Sequence, residues 1–171
     1  MSLMHGLDAT GNALPIRVDS SGSLFIDVGE KVTVNAAATM VNNQTAFTIA
    51  GGPIQIIELL SECITDNNST ASTLQWRSNP TVGTATTVSG ATTTLASIVA
   101  GATIRLAPTA LSTAPVIALA SAGGVQIGTN VANRITIQPG TIQMVIGVGS
   151  TTGTWRHYLR YKPLSTGVTV T

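Results

Sequence analysis

The chain has 171 residues, of which 43% are hydrophobic, 4% aromatic and only 9% charged, with a formal net charge of +1. That length fits one domain with an aliphatic core, and the single cysteine, Cys63, excludes an internal disulfide and a cysteine-built zinc site. The small net charge disfavours a nucleic-acid binder, and the longest apolar region, 98–128, is broken by Arg105, Pro108 and Pro115, so no membrane-spanning helix is expected.

The opening "MSLMHGLDATGNALP" has neither the basic segment nor the apolar run of a secretory signal, so synthesis in the cytoplasm is expected. "LPIRVD" (14–19), a turn at "SSG", "SLFIDV" (23–28) and "KVTVNA" (31–36) predict short strands joined by tight turns. This region holds most of the acids and runs into the Ala-rich "NAAATMVNNQ" (35–44). Residues 1–45 are therefore expected to form an extended N-terminal arm with short hairpins, and residues 46–171 the body.

In the body, "TAFTIAGGPIQIIELLSECIT" gives two alternating apolar runs separated by Gly51-Gly52-Pro53. "DNNSTAS" (66–72) predicts a loop, and "TLQWRS" a strand that ends at the turn signal Asn79-Pro80. "GATTTLASIVAGATIRLAP" predicts two strands meeting near Gly101, followed by "PVIALA", "GVQIG", "RITIQ" and "TIQMVIGVG". Pro139-Gly140 and "GSTTG" (149–153) mark the last turns before "TWRHYLRYKP" (154–163). In that strand Trp155, His157, Leu159 and Tyr161 fall on one side, and Arg156, Tyr158, Arg160 and Lys162 on the other. The first set is assigned to packing and the second to an exposed basic face that contacts protein. Short β-branched runs between evenly spaced turns, without a capped amphipathic helix, predict an all-β fold: an antiparallel β-sandwich or jelly-roll-like barrel.

The charges are divided along the chain. Residues 1–66 hold all seven acids (Asp8, Asp19, Asp27, Glu30, Glu58, Glu62, Asp66) with Arg17 and Lys31, a net of −5, while residues 67–171 hold six bases and no acid, a net of +6. The division suggests docking between unlike surfaces, within an oligomer or onto another protein. Asp8, Asp19 and Asp27 are the candidate contacts on the acidic side, and Arg156, Tyr158, Arg160 and Lys162 on the basic side.

Catalytic patterns are weak. Two carboxyls flanking a scissile bond would have to come from the first 66 residues, and no Ser sits in a G-x-S-x-G elbow near His5 or His157. "DSSGSLFID" lacks the alternating oxygen ligands of a calcium loop, and the glycine pairs at 51–52 and 123–124 lack a phosphate-loop Lys. A non-enzymatic protein without cofactor or metal is expected.

Three stretches carry a resemblance: "GLDATGNALPIRVDSSGSLFIDV", "TAFTIAGGPIQIIELLSECIT" and "TWRHYLRYKPLSTGVTV". In texture and order the chain resembles small virion proteins of tailed bacteriophages, particularly capsid decoration (cement) or minor capsid proteins. The resemblance implies a sandwich or jelly-roll body, commonly a homotrimer, that binds the major capsid protein on the outside of the virion shell and stabilises it. The alternative it leaves open is a phage tail or fibre module binding a host receptor or carbohydrate, with Trp76, Trp155, Tyr158 and Tyr161 as stacking residues.

Overall fold

Gly51 and Gly52 adopt φ of +79° and +155°, and a Cβ on either would strike the Gly167 carbonyl or the Ser165 side chain. Glycine is what allows the chain to reverse in that space, and the reversal carries it from one layer of strands into the other. The computed structural model describes the backbone of residues 5–7, 13–15, 17–18, 24–25, 29–106, 113–118 and 135–171, and side chains at 29–106, 113–115, 117 and 135–171.

The strands in chain order are β1 (His5–Leu7), β2 (Ala13–Pro15), β3 (Arg17–Val18), β4 (Leu24–Phe25), β5 (Lys31–Val34), β6 (Ala38–Thr39), β7 (Gln44–Ala50) and β8 (Ile54–Cys63). They continue with β9 (Thr73–Pro80), β10 (Thr86–Thr87), β11 (Thr103–Arg105), β12 (Val116–Ala118), β13 (Ile135–Ile137), β14 (Gly140–Gly147), β15 (Thr154–Pro163) and β16 (Thr169–Val170). No helix occurs among the described residues. One sheet has the order β10-β9-β14-β7-β16; the other has β12-β11-β8-β15-β5, with β13 also on β8 and β6 also on β15. Every pairing is antiparallel, and β1 with β2 and β3 with β4 form separate two-stranded sheets. The protein is an all-β sandwich, as the sequence predicts. The steps β7–β8–β9 and β13–β14–β15–β16 each change sheet, so most neighbours in space are distant in sequence.

The inner faces of the two sheets meet in one core. Phe47, Ile49, Leu74, Trp76, Ile142, Met144 and Ile146 come from the first sheet, and Ile54, Leu59, Cys63, Ile104, Trp155, Leu159 and Tyr161 from the second. Two bulges interrupt the alternation that the sequence suggests. Opposite β14 the register slips at Ala46, so Ala46 and Phe47 both turn inward; opposite β15 it slips at Ile57, so Ile57 and Glu58 both turn outward. The second slip decides which face Glu58 and Glu62 occupy.

Two expectations meet a different arrangement. "GATTTLASIVAGATIRLAP" supplies only β11; its first half is loop, because Leu95 N–H donates to the Ser72 carbonyl (2.7 Å) and the Leu95 carbonyl accepts from Asn67 Nδ2 (2.8 Å). Those bonds tie the backbone to another loop, while Leu95 and Ile98 plug the core. Residues 31–45, grouped with the arm on composition, join the body: β5 and β6 pair with β15, and Met40 is fully buried. The strand expected at "GVQIG" and the side chains of an arm over 1–28 lie outside the described residues.

Candidate functional site

The burial of β15 alternates along its length, placing Trp155, His157, Leu159 and Tyr161 inward and Arg156, Tyr158, Arg160 and Lys162 outward. The four residues expected to contact a partner therefore share one outward face. Asp8, Asp19 and Asp27, expected opposite them, lie outside the described residues.

Registers fix the neighbours of this outer face. Tyr158 lies between Val34 of β5 and Leu60 of β8, Arg160 between Val32 and Glu58, and Arg156 beside Glu62. Arg105 of β11 is opposite Leu60. The result is an apolar row, Val34–Tyr158–Leu60, with charged residues on both sides of it.

The charges are satisfied within the chain. Tyr158 Oη donates to Glu62 Oε2 (2.6 Å), with Arg156 Nη1 3.9 Å from the same oxygen. Arg105 Nε lies 3.1 Å from Glu58 Oε1, and Arg160 Nε donates to Glu30 Oε2 (2.6 Å) with Nη2 reinforcing the pair. The Arg156 pKa is raised, first by its hydrogen bond with Tyr158, then by charge on Tyr158 and Glu62, against a desolvation penalty. Lys162 is also engaged. Each ion pair joins an acid from residues 1–66 to an arginine from residues 67–171, so part of the charge division that suggested intermolecular docking closes inside one chain. The exposed basic face is thus a mixed one, with three carboxylates against four cations, and it lacks the basic stripe of a nucleic-acid surface.

Comparison with family models, curated proteins and solved structures finds no match.

On the inner side of β15, His157 Nδ1 and Ser61 Oγ share a hydrogen bond of 2.8 Å, and the imidazole meets Trp76 edge-to-face at 5.3 Å and 90°. Burial lowers the His157 pKa to about 4. Ser61 and His157 are 0% and 2% exposed, while Glu58 and Glu62 face the opposite side of the sheet. The pair acts as a polar rivet between sheets: Ser61 and His157 stand on the second, Trp76 on the first. Among the described residues no group of three His, Cys, Asp or Glu side chains is placed to hold a metal.

Sequence reasoning placed the four β15 residues on one face but missed Glu30, Glu58, Glu62, Arg105, Val32, Val34 and Leu60. The available signal was in "IQIIELLSEC": the Ile56-Ile57 doublet breaks the alternation, after which Glu58 and Glu62, four apart, share a face. A separate, mostly apolar cleft of about 190 Å³ is lined by Pro80, Val88, Ile135 and Ile137 with Ser and Thr side chains and Gln138. Among the described residues no charged side chain lines it.

Proposed function

We propose that this chain is a non-enzymatic virion structural protein, a decoration protein that binds the outside of a phage capsid and stabilises it. The observation that carries the reading is the outer face of the second sheet: an aromatic-aliphatic row, Val34–Tyr158–Leu60, framed by charges already neutralised in the chain. An apolar centre with a polar rim is the anatomy of a protein-docking surface. Neutralising the rim beforehand avoids burying unpaired charge when a partner covers it. The resemblance supplies the partner class, a major capsid protein, and the jelly-roll connectivity; the strand order itself establishes a sandwich.

Immunogold electron microscopy of intact virions, with antibody raised against this chain, tests the proposal. Label over the capsid is the expected result. Label at the tail supports the receptor- or carbohydrate-binding alternative, and unlabelled virions that lack the chain overturn both.

A further inference from the structure

Among the described residues seven large hydrophobic side chains are exposed: Val32, Val34, Val41, Val82, Val99, Val148 and Leu164. Only Val32 and Val34 lie in a strand, and that strand is β5, the last in its sheet. They are 64% and 48% exposed. The backbone of the same two residues is also open. Asn35 N–H donates to the His157 carbonyl (3.1 Å), so in an antiparallel ladder Thr33 and Lys31 turn their amides toward β15, and Val32 and Val34 turn theirs away. Among the described residues the Val32 and Val34 backbone groups have no partner across that edge. A strand edge presenting both unpaired amides and β-branched side chains is a template for another strand.

The geometry points to a second copy of this chain as the occupant, joined by antiparallel two-fold pairing of β5 with its counterpart, centred on Thr33. In this register Val32 stands opposite the partner's Val34 and Val34 opposite the partner's Val32, each pair exchanging N–H···O=C bonds. All four valines then share the outer face. Lys31 and Glu30 meet the neutral Asn35 and Ala36 of the other copy. Sliding to a centre on Val32 sets Glu30 against Val34, and a centre on Lys31 sets like charges face to face, so charge disfavours both; a centre on Val34 would carry the pairing beyond the end of β5. The flank offers more than one strand: Thr33 Oγ1 donates to the Val170 carbonyl (3.4 Å), placing β16, the edge of the first sheet, beside β5. The pairing extends the Val34–Tyr158–Leu60 row across the two-fold axis. It yields an even-numbered assembly, where the resemblance implies three copies, and it does not depend on a virion role.

Sedimentation velocity of the full chain at micromolar concentration is the test. The expected species has twice the 17.4 kDa chain mass. Val32→Pro removes an N–H that points away from β15 and so spares the native ladder; Val34→Lys keeps the backbone and changes only an exposed side chain. Both should return the mass to that of one chain while circular dichroism still reports the folded sandwich, and Val34→Lys decides alone if Val32→Pro unfolds the protein. Thr33→Cys reads the register, because facing residues at a non-hydrogen-bonded position lie about 4.5 Å apart, within disulfide range. Cys63 is buried and does not compete. Oxidation of that variant should give a covalent dimer. A monomeric or trimeric wild type, a dimer that survives Val34→Lys, or Thr33→Cys that stays uncrosslinked overturns the inference.

Discussion

Burial holds the His157 imidazole neutral, with a pKa near 4 against an ordinary 6.5, because the core around Ser61 and Trp76 offers its charged form little solvation. The sign follows from proton uptake. Below 6.5 the unfolded chain binds a proton at this residue and the folded chain does not, so stability is full above 6.5 and falls as pH drops through about 4. The loss from this group is roughly 3 kcal/mol across that window. Urea titrations at a series of pH values should show the decline, and His157→Gln should flatten it between those limits. Trp155 makes a second residue-scale case. Its ring is fully buried, and Nε1 has no hydrogen-bond partner among the described residues. Trp155→Ala should cost about 3–5 kcal/mol. Trp155→Phe should cost distinctly less, since it keeps most of the ring and removes an unsatisfied donor. Thermal melts of the two variants give the comparison.

Elements in this fold are held at their ends as much as along their lengths. Asn67 ties the loop after β8 to two others: Oδ1 accepts from Thr152 N–H (2.9 Å) and Gly153 N–H (3.1 Å), and Nδ2 donates to the Leu95 carbonyl. Asn67 is buried, so Asn67→Ala strands donors where water reaches poorly, and it should cost about 1–3 kcal/mol or more in chemical denaturation. Asn35 does similar work at the break between β5 and β6, where Oδ1 accepts from His157 N–H (2.9 Å) and Nδ2 donates to the Ala46 carbonyl (3.3 Å). The outward ion pairs are different. Arg156 and Arg160 side chains are 41% and 48% exposed, so Arg156→Ala and Arg160→Ala should each change stability by no more than about 1 kcal/mol. Strand existence was legible from period-two patterns in β7, β8, β9, β14 and β15. The bulges at Ala46 and Ile57 were not, because each is defined by the strand opposite.

At the scale of the whole molecule, residues 31–45 belong with the sandwich. Deleting residues 1–28 removes β1 to β4, whose pairings are with each other, and should leave the melting transition of the sandwich in place. Deleting residues 1–45 also removes β5, β6 and Met40, stripping the edge of β15 and opening the core. That truncation should lower the melting temperature sharply or yield an unfolded chain. Circular dichroism melts of the two truncations separate the cases. Equal loss in both would mean that residues 1–28 also support the core.

The sequence alone determined the all-β class, the location of most body strands and the two faces of "TWRHYLRYKP", because alternation and turn residues act within a few positions of themselves. Tertiary structure decided the rest. The −5 and +6 halves of the chain look like opposing surfaces when read in order. They become Glu30–Arg160, Glu58–Arg105 and Glu62–Arg156 once β5, β8, β11 and β15 stand side by side. Likewise, "KVTVNA" reads as one strand among many, and nothing local says that its sheet ends there. Which residues face each other across strands depends on pairing between segments as far apart as residues 30 and 160, and no local pattern encodes that distance.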